Sequence, residues 1–401
     1  MTHCQFFIKR KKRYCKMIVK KGNMYCGEHQ EVSLELLEPN NCEKSISQPR
    51  RIQCPLDKSH TCYESRLKQH LKVCNVKQLI DRKPEYIIDG INKGSTINIP
   101  KHIPLCNLEQ NIIDNVISKV EKAYDMLPQV EELIYEHEIL KDEINNPTYG
   151  NHIKKHLIQN ASLLSHLKYA GLVKDDTCFI EFGAGKGKLT YWLAQIIKDI
   201  EKPTILLVDR SSHRYKKDNK LKNEKCPINI IRIRADIADL ALHKIEDVKN
   251  STHKVGIAKH LCGAATDLMI NCLCKLSKED STGTIGLIIA FCCHHRCEYN
   301  SYVGKSYLEA CGFEPEDFPI LSSIASWATC GSKNDQKLNT STKINDTSQL
   351  EKRESIGRKV KLILNWGRVK YLTEIGFNCN LYFYTKLEVS PENMCVVAIR
   401  K

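Results

Sequence analysis

Short apolar runs of strand length recur through the second half of the chain, at residues 178–182, 205–208, 228–233, 255–258 and 285–291. Behind the first run, Leu189, Trp192, Leu193, Ile196 and Ile197 return with the spacing of a helix face. Near-continuous apolar strands separated by amphipathic helices predict an α/β domain with parallel strands covered on both faces. Two later runs, 379–385 and 394–399, alternate in polarity and complete a mostly parallel sheet of seven strands over 171–401. Inside this domain, residues 331–357 are rich in Ser, Thr, Asn, Lys and Asp and poor in apolar positions. That composition predicts a disordered insertion. Order resumes at Arg358, with 360–366 helical or extended.

Upstream the period changes. Ile112, Ile113, Val116, Ile117 and Val120 predict a helix that Pro128 interrupts and that Val130, Leu133, Ile134, Ile139 and Leu140 continue. Heptads are too few for a coiled coil, and a helical bridge over 108–170 is expected. Its last helix, 151–167, puts His152, Lys154, Lys155 and His156 near the polar side, either over a cofactor or as basic surface. Residues 79–107 contain Pro84, Gly90, Gly94, Pro100 and Pro104 and predict an extended connector. Residues 39–50 are a polar link.

No apolar run reaches the length of a membrane span, and the N-terminus has no hydrophobic signal core, so cytoplasm or nucleus is expected. There the 20 cysteines are expected as thiols or metal ligands. The first 75 residues carry two quartets. Cys4, Cys15, Cys26 and His29 offer three thiolates and an imidazole for tetrahedral zinc within a finger spanning 1–35. Lys9 to Arg13, Lys16, Lys20 and Lys21 interleave there with Phe6, Phe7, Tyr14 and Tyr25, a composition suited to phosphates and stacked bases. Cys54, His60, His70 and Cys74 form the second quartet, in a finger over 51–78 with a short helix starting at Ser65. Two zinc ions are expected. The net charge of +14 favours a polyanionic partner, with nucleic acid ahead of membrane.

The first strand ends in Glu181-Phe-Gly183-Ala-Gly185-Lys-Gly187. The third glycine of a dinucleotide fingerprint would fall at Lys188, and the Lys-Ser/Thr of a phosphate-binding P-loop is missing. The stretch resembles motif I of the class I S-adenosylmethionine methyltransferases. The second strand ends in Asp209, 22 residues after Gly187, near the distance expected for a ribose-binding carboxylate. By the same resemblance Asp236, after the third strand, meets the adenine amine. The cofactor set expected is therefore Glu181, Gly183, Gly185, Gly187, Asp209 and Asp236 with S-adenosylmethionine.

Strands four and five end in Lys259-His-Leu-Cys-Gly263 and Cys292-Cys-His-His-Arg296, bordering the same crevice. No Asn/Asp-Pro-Pro-aromatic motif of amino-group methylation occurs, and neither Cys262 nor Cys292 has the proline neighbour typical of pyrimidine carbon methylation. A hydroxyl acceptor needs a base or a cation for the forming alkoxide, with Lys259 first for that role and His294 second. Lys259 on the cofactor carboxylate, and a purely packing Cys-Cys-His-His run, remain open. So does a third zinc on Cys292, Cys293, His294 and Cys297. Two basic features, from His213 to Lys225 and at Arg368 and Lys370, are either phosphate contacts or solvated surface.

The order of these motifs, closing on a late Trp366-Gly-Arg368, resembles the eukaryotic tRNA 2′-O-methyltransferases that act on position 4 of the acceptor stem. The CHHC quartet resembles the finger of a minor-spliceosome protein. The resemblance implies ribose methylation of tRNA with S-adenosylmethionine as donor, and no obligate protein partner is readable. The rival is a non-catalytic zinc-finger RNA adaptor whose methyltransferase domain has decayed.

Overall fold

The computed structural model describes the chain apart from residues 1–2, 9–12, 16, 20–21, 27–28, 30–49, 75, 78–82, 95, 214, 224–226, 280–282 and 331–342. The basic residues Lys9 to Lys12, Lys16, Lys20 and Lys21, and the link up to residue 49, lie outside the described residues. The chain forms two compact units, 1–82 and 83–401.

In the first unit, β1 (Phe7–Ile8) and β2 (Arg13–Tyr14) form a small antiparallel ladder with Phe7 opposite Tyr14. Next, β3 (Arg51–Cys54) pairs antiparallel with β4 (Asp57–Tyr63), and α1 (Leu67–Val73) follows. A 3₁₀ turn over Glu64–Arg66 takes the place of the helix start expected at Ser65, and no side chain caps α1.

The second unit contains α2 (Gln110–Asp125), β5 (Glu131–Glu132), α3 (Glu138–Asn145) and α4 (Asn151–Tyr169). Then β6 (Thr177–Phe182), α5 (Lys188–Ile196), β7 (Thr204–Asp209), α6 (Asp218–Asn223), β8 (Asn229–Arg234) and α7 (Glu246–Asn250) alternate. They are followed by β9 (His253–Cys262), α8 (Ala264–Glu279), β10 (Thr284–Cys292), α9 (Lys305–Ala310), α10 (Asp317–Ala325) and α11 (Trp327–Cys330). The long α12 (Lys343–Glu374), β11 (Phe377–Phe383) and β12 (Met394–Arg400) end the chain.

These strands build one sheet in the order β5-β11-β12-β10-β9-β6-β7-β8. Only β12 runs antiparallel to its neighbours, β10 and β11. The sheet has eight strands where the apolar pattern predicts seven. Pro128 ends the helical run, and Glu131 and Glu132 add a two-residue edge strand beside Tyr382 and Phe383 of β11. The two glutamates are exposed, so no apolar signal marks the strand.

The chain order reverses between β6 and β9, which opens a crevice at their carboxyl ends. Both sheet faces are apolar. Ile180, Phe182, Leu206 and Val208 pack with Met269 and Leu273 of α8, while Phe179, Ile205, Leu207, Val255 and Ile257 pack with Leu163, Leu164 and Leu167 of α4. Instead of continuing a bridge, α2 joins a separate core with α10 and α12 through Val116, Val120, Phe318, Leu321, Val360 and Ile363.

That core also corrects the reading of 331–357. Residues 331–342 lie outside the described residues, but α12 begins at Lys343 and runs unbroken through 357. The apolar half of α12 is anchored in the core. Its polar half, rich in Glu, Lys, Arg and Gln, extends an existing helix without the cost of nucleating one.

Candidate functional site

The first unit gathers both predicted quartets. In the Cys4, Cys15, Cys26 and His29 group the four donor atoms lie within 4.8 Å of one another, with Cys26 Sγ 3.2 Å from His29 Nδ1. Phe6 stacks on the His29 ring at 4.0 Å and fixes its plane. In the second group, β3 supplies Cys54, β4 His60, α1 His70 and the α1 C-cap Cys74. Here His70 Nε2 is 3.2 Å from Cys54 Sγ, and Cys54 and Cys74 Sγ are 3.9 Å apart. Sulfur and imidazole donors converging in fours fit tetrahedral zinc, so each quartet has the donor set for one zinc ion.

The second unit has a cavity of about 850 Å³ at the carboxyl ends of the parallel strands, within the range of small-molecule sites. Gly183 lines it after β6, Asp209 at the end of β7, Asp236 after β8 and Cys262 at the end of β9. All three glycines of the turn take left-handed backbone, with φ of 67°, 53° and 67° at 183, 185 and 187, where a Cβ is strained. Asp209 pins the turn: its Oδ2 accepts from the Gly185 amide at 2.7 Å, and Oδ1 accepts from the Ser211 amide at 2.7 Å. Asp236 accepts from the Ala238 amide at 3.0 Å, with Arg210 3.9 Å away. Carboxylates at the ends of adjacent strands, with the apolar Ile237, Ala265 and Leu268 lining the same cavity, suit a ribose and an adenine. These residues fit S-adenosylmethionine.

Glu181 does not reach the cavity wall. It is buried beneath the turn, where its Oε2 accepts from both the amide and the hydroxyl of Thr190 in the first turn of α5. It thus supports the glycine loop from behind. Burial pushes its carboxyl up to about 7, against the Thr190 hydrogen bonds and Arg232. Because this folded value lies above the unfolded one, Glu181 favours the fold fully below about pH 4.5 and loses that contribution as pH rises through about 7. Glu181→Gln is therefore expected to gain on the order of 2 kcal/mol relative to the parent between about pH 5 and pH 8. Thermal unfolding at both pH values checks this, and an equal shift at both would contradict it.

Residues that sequence reasoning missed complete the site. Arg232 on β8 donates to Asp218 at 2.8 Å and to the Gly185 carbonyl at 3.0 Å, tying the glycine turn to α6. The expected phosphate-contacting run from His213 to Lys225 is partly used in packing: Asp218 is buried, and Lys217 sits over the Tyr191 ring. Arg214 and Lys225 lie outside the described residues. Lys101 and His102 also line the cavity. The segment predicted as a connector is strapped along the domain, with buried Asn92 donating to the Ile237 and Leu240 carbonyls at 2.6 and 2.8 Å. Only its proline and glycine content was visible in the sequence, and these residues do not say what a segment touches.

Lys259 and His294 do not line the cavity. The Lys259 amine is buried under α4, donating to Asn160 Oδ1 at 2.6 Å and to the His156 carbonyl at 3.1 Å. Burial, helped by Lys188 and opposed by Glu181, pushes this amine down to about 7. The His294 imidazole is buried with Nε2 2.8 Å from Asn365 Oδ1. Asn365 belongs to a buried network in which Arg368 donates to both oxygens of Asp267, at 3.0 and 2.8 Å. Arg368 is 1% exposed, which corrects its reading as a phosphate clamp; Lys370 is exposed beside the Trp366 ring. The proposed quartet Cys292, Cys293, His294 and Cys297 is not assembled. Cys297 Sγ accepts from Arg368 at 3.1 Å, while Cys292 and Cys293 gather with Cys262.

Residues 158–399 match the family described as Methyltransferase TRM13. Residues 2–30 match the CCCH zinc finger in TRM13 protein, and 51–75 match the U11-48K-like CHHC zinc finger. The chain is 33% identical over 465 residues to the tRNA:m(4)X modification enzyme TRM13 homolog of Mus musculus, covering 99% of this chain and 94% of that one. Against tRNA:m(4)X modification enzyme TRM13 of Saccharomyces cerevisiae it is 28% identical over 478 residues, covering 99% and 96%. Overlap with solved structures is low: the crystal structure of small RNA methyltransferase HEN1 gives a TM-score of 0.31 at 15% identity, covering 60% of this chain and 25% of that one. Among the described residues no helix is long and apolar enough to cross a membrane. The chain belongs to the TRM13 methyltransferase family, with a CCCH and a CHHC zinc finger ahead of its methyltransferase fold.

Proposed function

We propose that this methyltransferase modifies tRNA, placing a methyl group on the ribose 2′-hydroxyl of nucleotide 4 in the acceptor stem. The observation that carries the reading is the cavity itself, with Asp209 and Asp236 on its wall and cations at its mouth. Lys101 and Arg210 have side chains 76% and 82% exposed, Lys101 pairing with Glu298 at 2.9 Å and Arg210 standing 3.9 Å from Asp236, and exposed Arg296 lines the same cavity. Such a rim suits a phosphate backbone presenting an acceptor to the cofactor. The net charge of +14 and the two fingers support an RNA substrate, as do relatives named tRNA:m(4)X modification enzymes.

S-adenosylmethionine supplies an electrophilic methyl group when bound. An alcohol oxygen attacks it well only as its proton leaves, so the protein must offer a base. Lys259 is the base in this reading, because an amine lowered to about 7 is partly neutral at physiological pH. To reach an acceptor in the cavity it must leave Asn160 Oδ1 and the His156 carbonyl, its partners outside the cavity lining. His294, buried against Asn365 and absent from the cavity lining, holds the loop after β10 in this reading. The rate is expected to rise with pH and level off above about 7, following the neutral amine. Lys259→Arg, always protonated, should cost at least about 10²-fold in turnover while S-adenosylmethionine still binds. An unaltered pH–rate profile in that variant would move the base elsewhere.

The function is tested by incubating the full chain with methyl-labelled S-adenosylmethionine and total tRNA. Label in nuclease-resistant dinucleotides supports ribose methylation, and label only in free bases rejects it. No transfer to any tRNA would favour the RNA-adaptor reading.

A further inference from the structure

One cluster of side chains lies outside the fingers and borders the cofactor cavity through Cys262 alone. Cys262 at the end of β9 and Cys292 at the end of β10 are register partners on adjacent parallel strands. Their sulfurs lie 3.7 Å apart, and Cys293 Sγ is 3.2 Å from each. All three are partly exposed, and Cys262 lines the cavity.

Successive residues of a strand point to opposite faces, so vicinal cysteines do not ordinarily share a partner. Here the backbone turns at Cys293 into the left-handed region, with φ of 43°, and this turn brings its sulfur back beside that of Cys292. A non-glycine residue holds that conformation at a cost of about 1 kcal/mol or more. The opposing loop is fitted just as closely. Gly263, next to Cys262, has φ of 60°, and a Cβ there would stand 2.2 Å from the Arg296 carbonyl oxygen. Only glycine lets the turn after β9 and the loop after β10 approach closely enough to assemble the three thiols.

The Cys262–Cys292 separation of 3.7 Å is close to the 3.9 Å between the two sulfurs of the second finger, and the two 3.2 Å separations of Cys293 are shorter. A disulfide requires sulfurs about 2.05 Å apart, whereas thiolates about 2.3 Å from one tetrahedral ion stand about 3.8 Å from each other. We propose that Cys262, Cys292 and Cys293 bind a third zinc ion at the wall of the cavity, with the fourth position taken by an oxygen ligand from the cavity side. Three thiolates select a thiophilic ion over magnesium or calcium, and binding releases the three thiol protons to solvent. This set replaces the one suggested by adjacency in sequence, because His294 and Cys297 are engaged with Asn365 and Arg368.

The test is the zinc content of the full chain, purified under reducing conditions without added metal. Three ions per chain are expected in the parent. Cys293→Ser should hold two, His70→Ala a different two, and the double variant one. Should Cys293→Ser fail to fold, cobalt substitution of the parent decides: its thiolate-to-cobalt absorption must exceed what the five finger cysteines produce. Two zinc ions in the parent, unchanged by Cys293→Ser, would overturn the site. So would two zinc ions together with a disulfide among the three cysteines found by mass spectrometry, which would make the cluster a redox pair.

Discussion

Arg368→Met is expected to destabilise the methyltransferase unit by about 3–5 kcal/mol, the cost of leaving one partner of a buried ion pair unmatched. Asp267 is 0% exposed, and both of its oxygens accept from Arg368. Burial works against the charge on Arg368, but the Asp267 carboxylate outweighs it and holds the guanidinium protonated. With methionine at 368 the carboxylate keeps only a long contact from the Val303 amide at 3.3 Å, Cys297 loses its donor, and Asn365 Oδ1 is left with His294 Nε2 at 2.8 Å. For a unit of this size the melting temperature should fall by roughly 5–7 °C. The double variant Asp267→Leu/Arg368→Met should recover much of the loss, since no buried charge is then left alone. Circular dichroism or calorimetry reads both variants. An unchanged melting temperature with weakened RNA binding would instead return Arg368 to the phosphate-clamp role.

Asp209→Ala is expected to weaken S-adenosylmethionine binding about 10²-fold or more, as charge-assisted hydrogen bonds are each worth about 1.5–3 kcal/mol. The substitution acts twice. It removes the carboxylate that faces the cavity, and it releases the Gly185 and Ser211 amides that this carboxylate holds at 2.7 Å. Asp236→Ala should have the smaller effect, about tenfold, because Asp236 braces only its own turn through the Ala238 amide. Calorimetric titration with S-adenosylmethionine checks both. Equal losses at the two positions would show that loop support at Asp209 adds nothing.

The sequence by itself determined the parts that local spacing governs. The central parallel strands carry apolar runs, the left-handed turn needs Gly183, Gly185 and Gly187, and each zinc quartet lies within a few dozen residues. Each of these signals is written in neighbouring positions. Tertiary structure alone decided the rest, because it depends on residues far apart in the chain. The pairing of Asp267 with Arg368 spans 101 residues, and the strap contact of Asn92 with Leu240 spans 148. Composition reads a buried arginine as a surface cation, since it carries no record of the carboxylate packed against it. It also reads the polar start of α12 as disordered, because the apolar half that anchors the helix lies further along the chain. The three-cysteine cluster shows the same limit. Adjacency joined Cys292 and Cys293 to His294 and Cys297, whereas strand register joined them to Cys262 on the neighbouring strand.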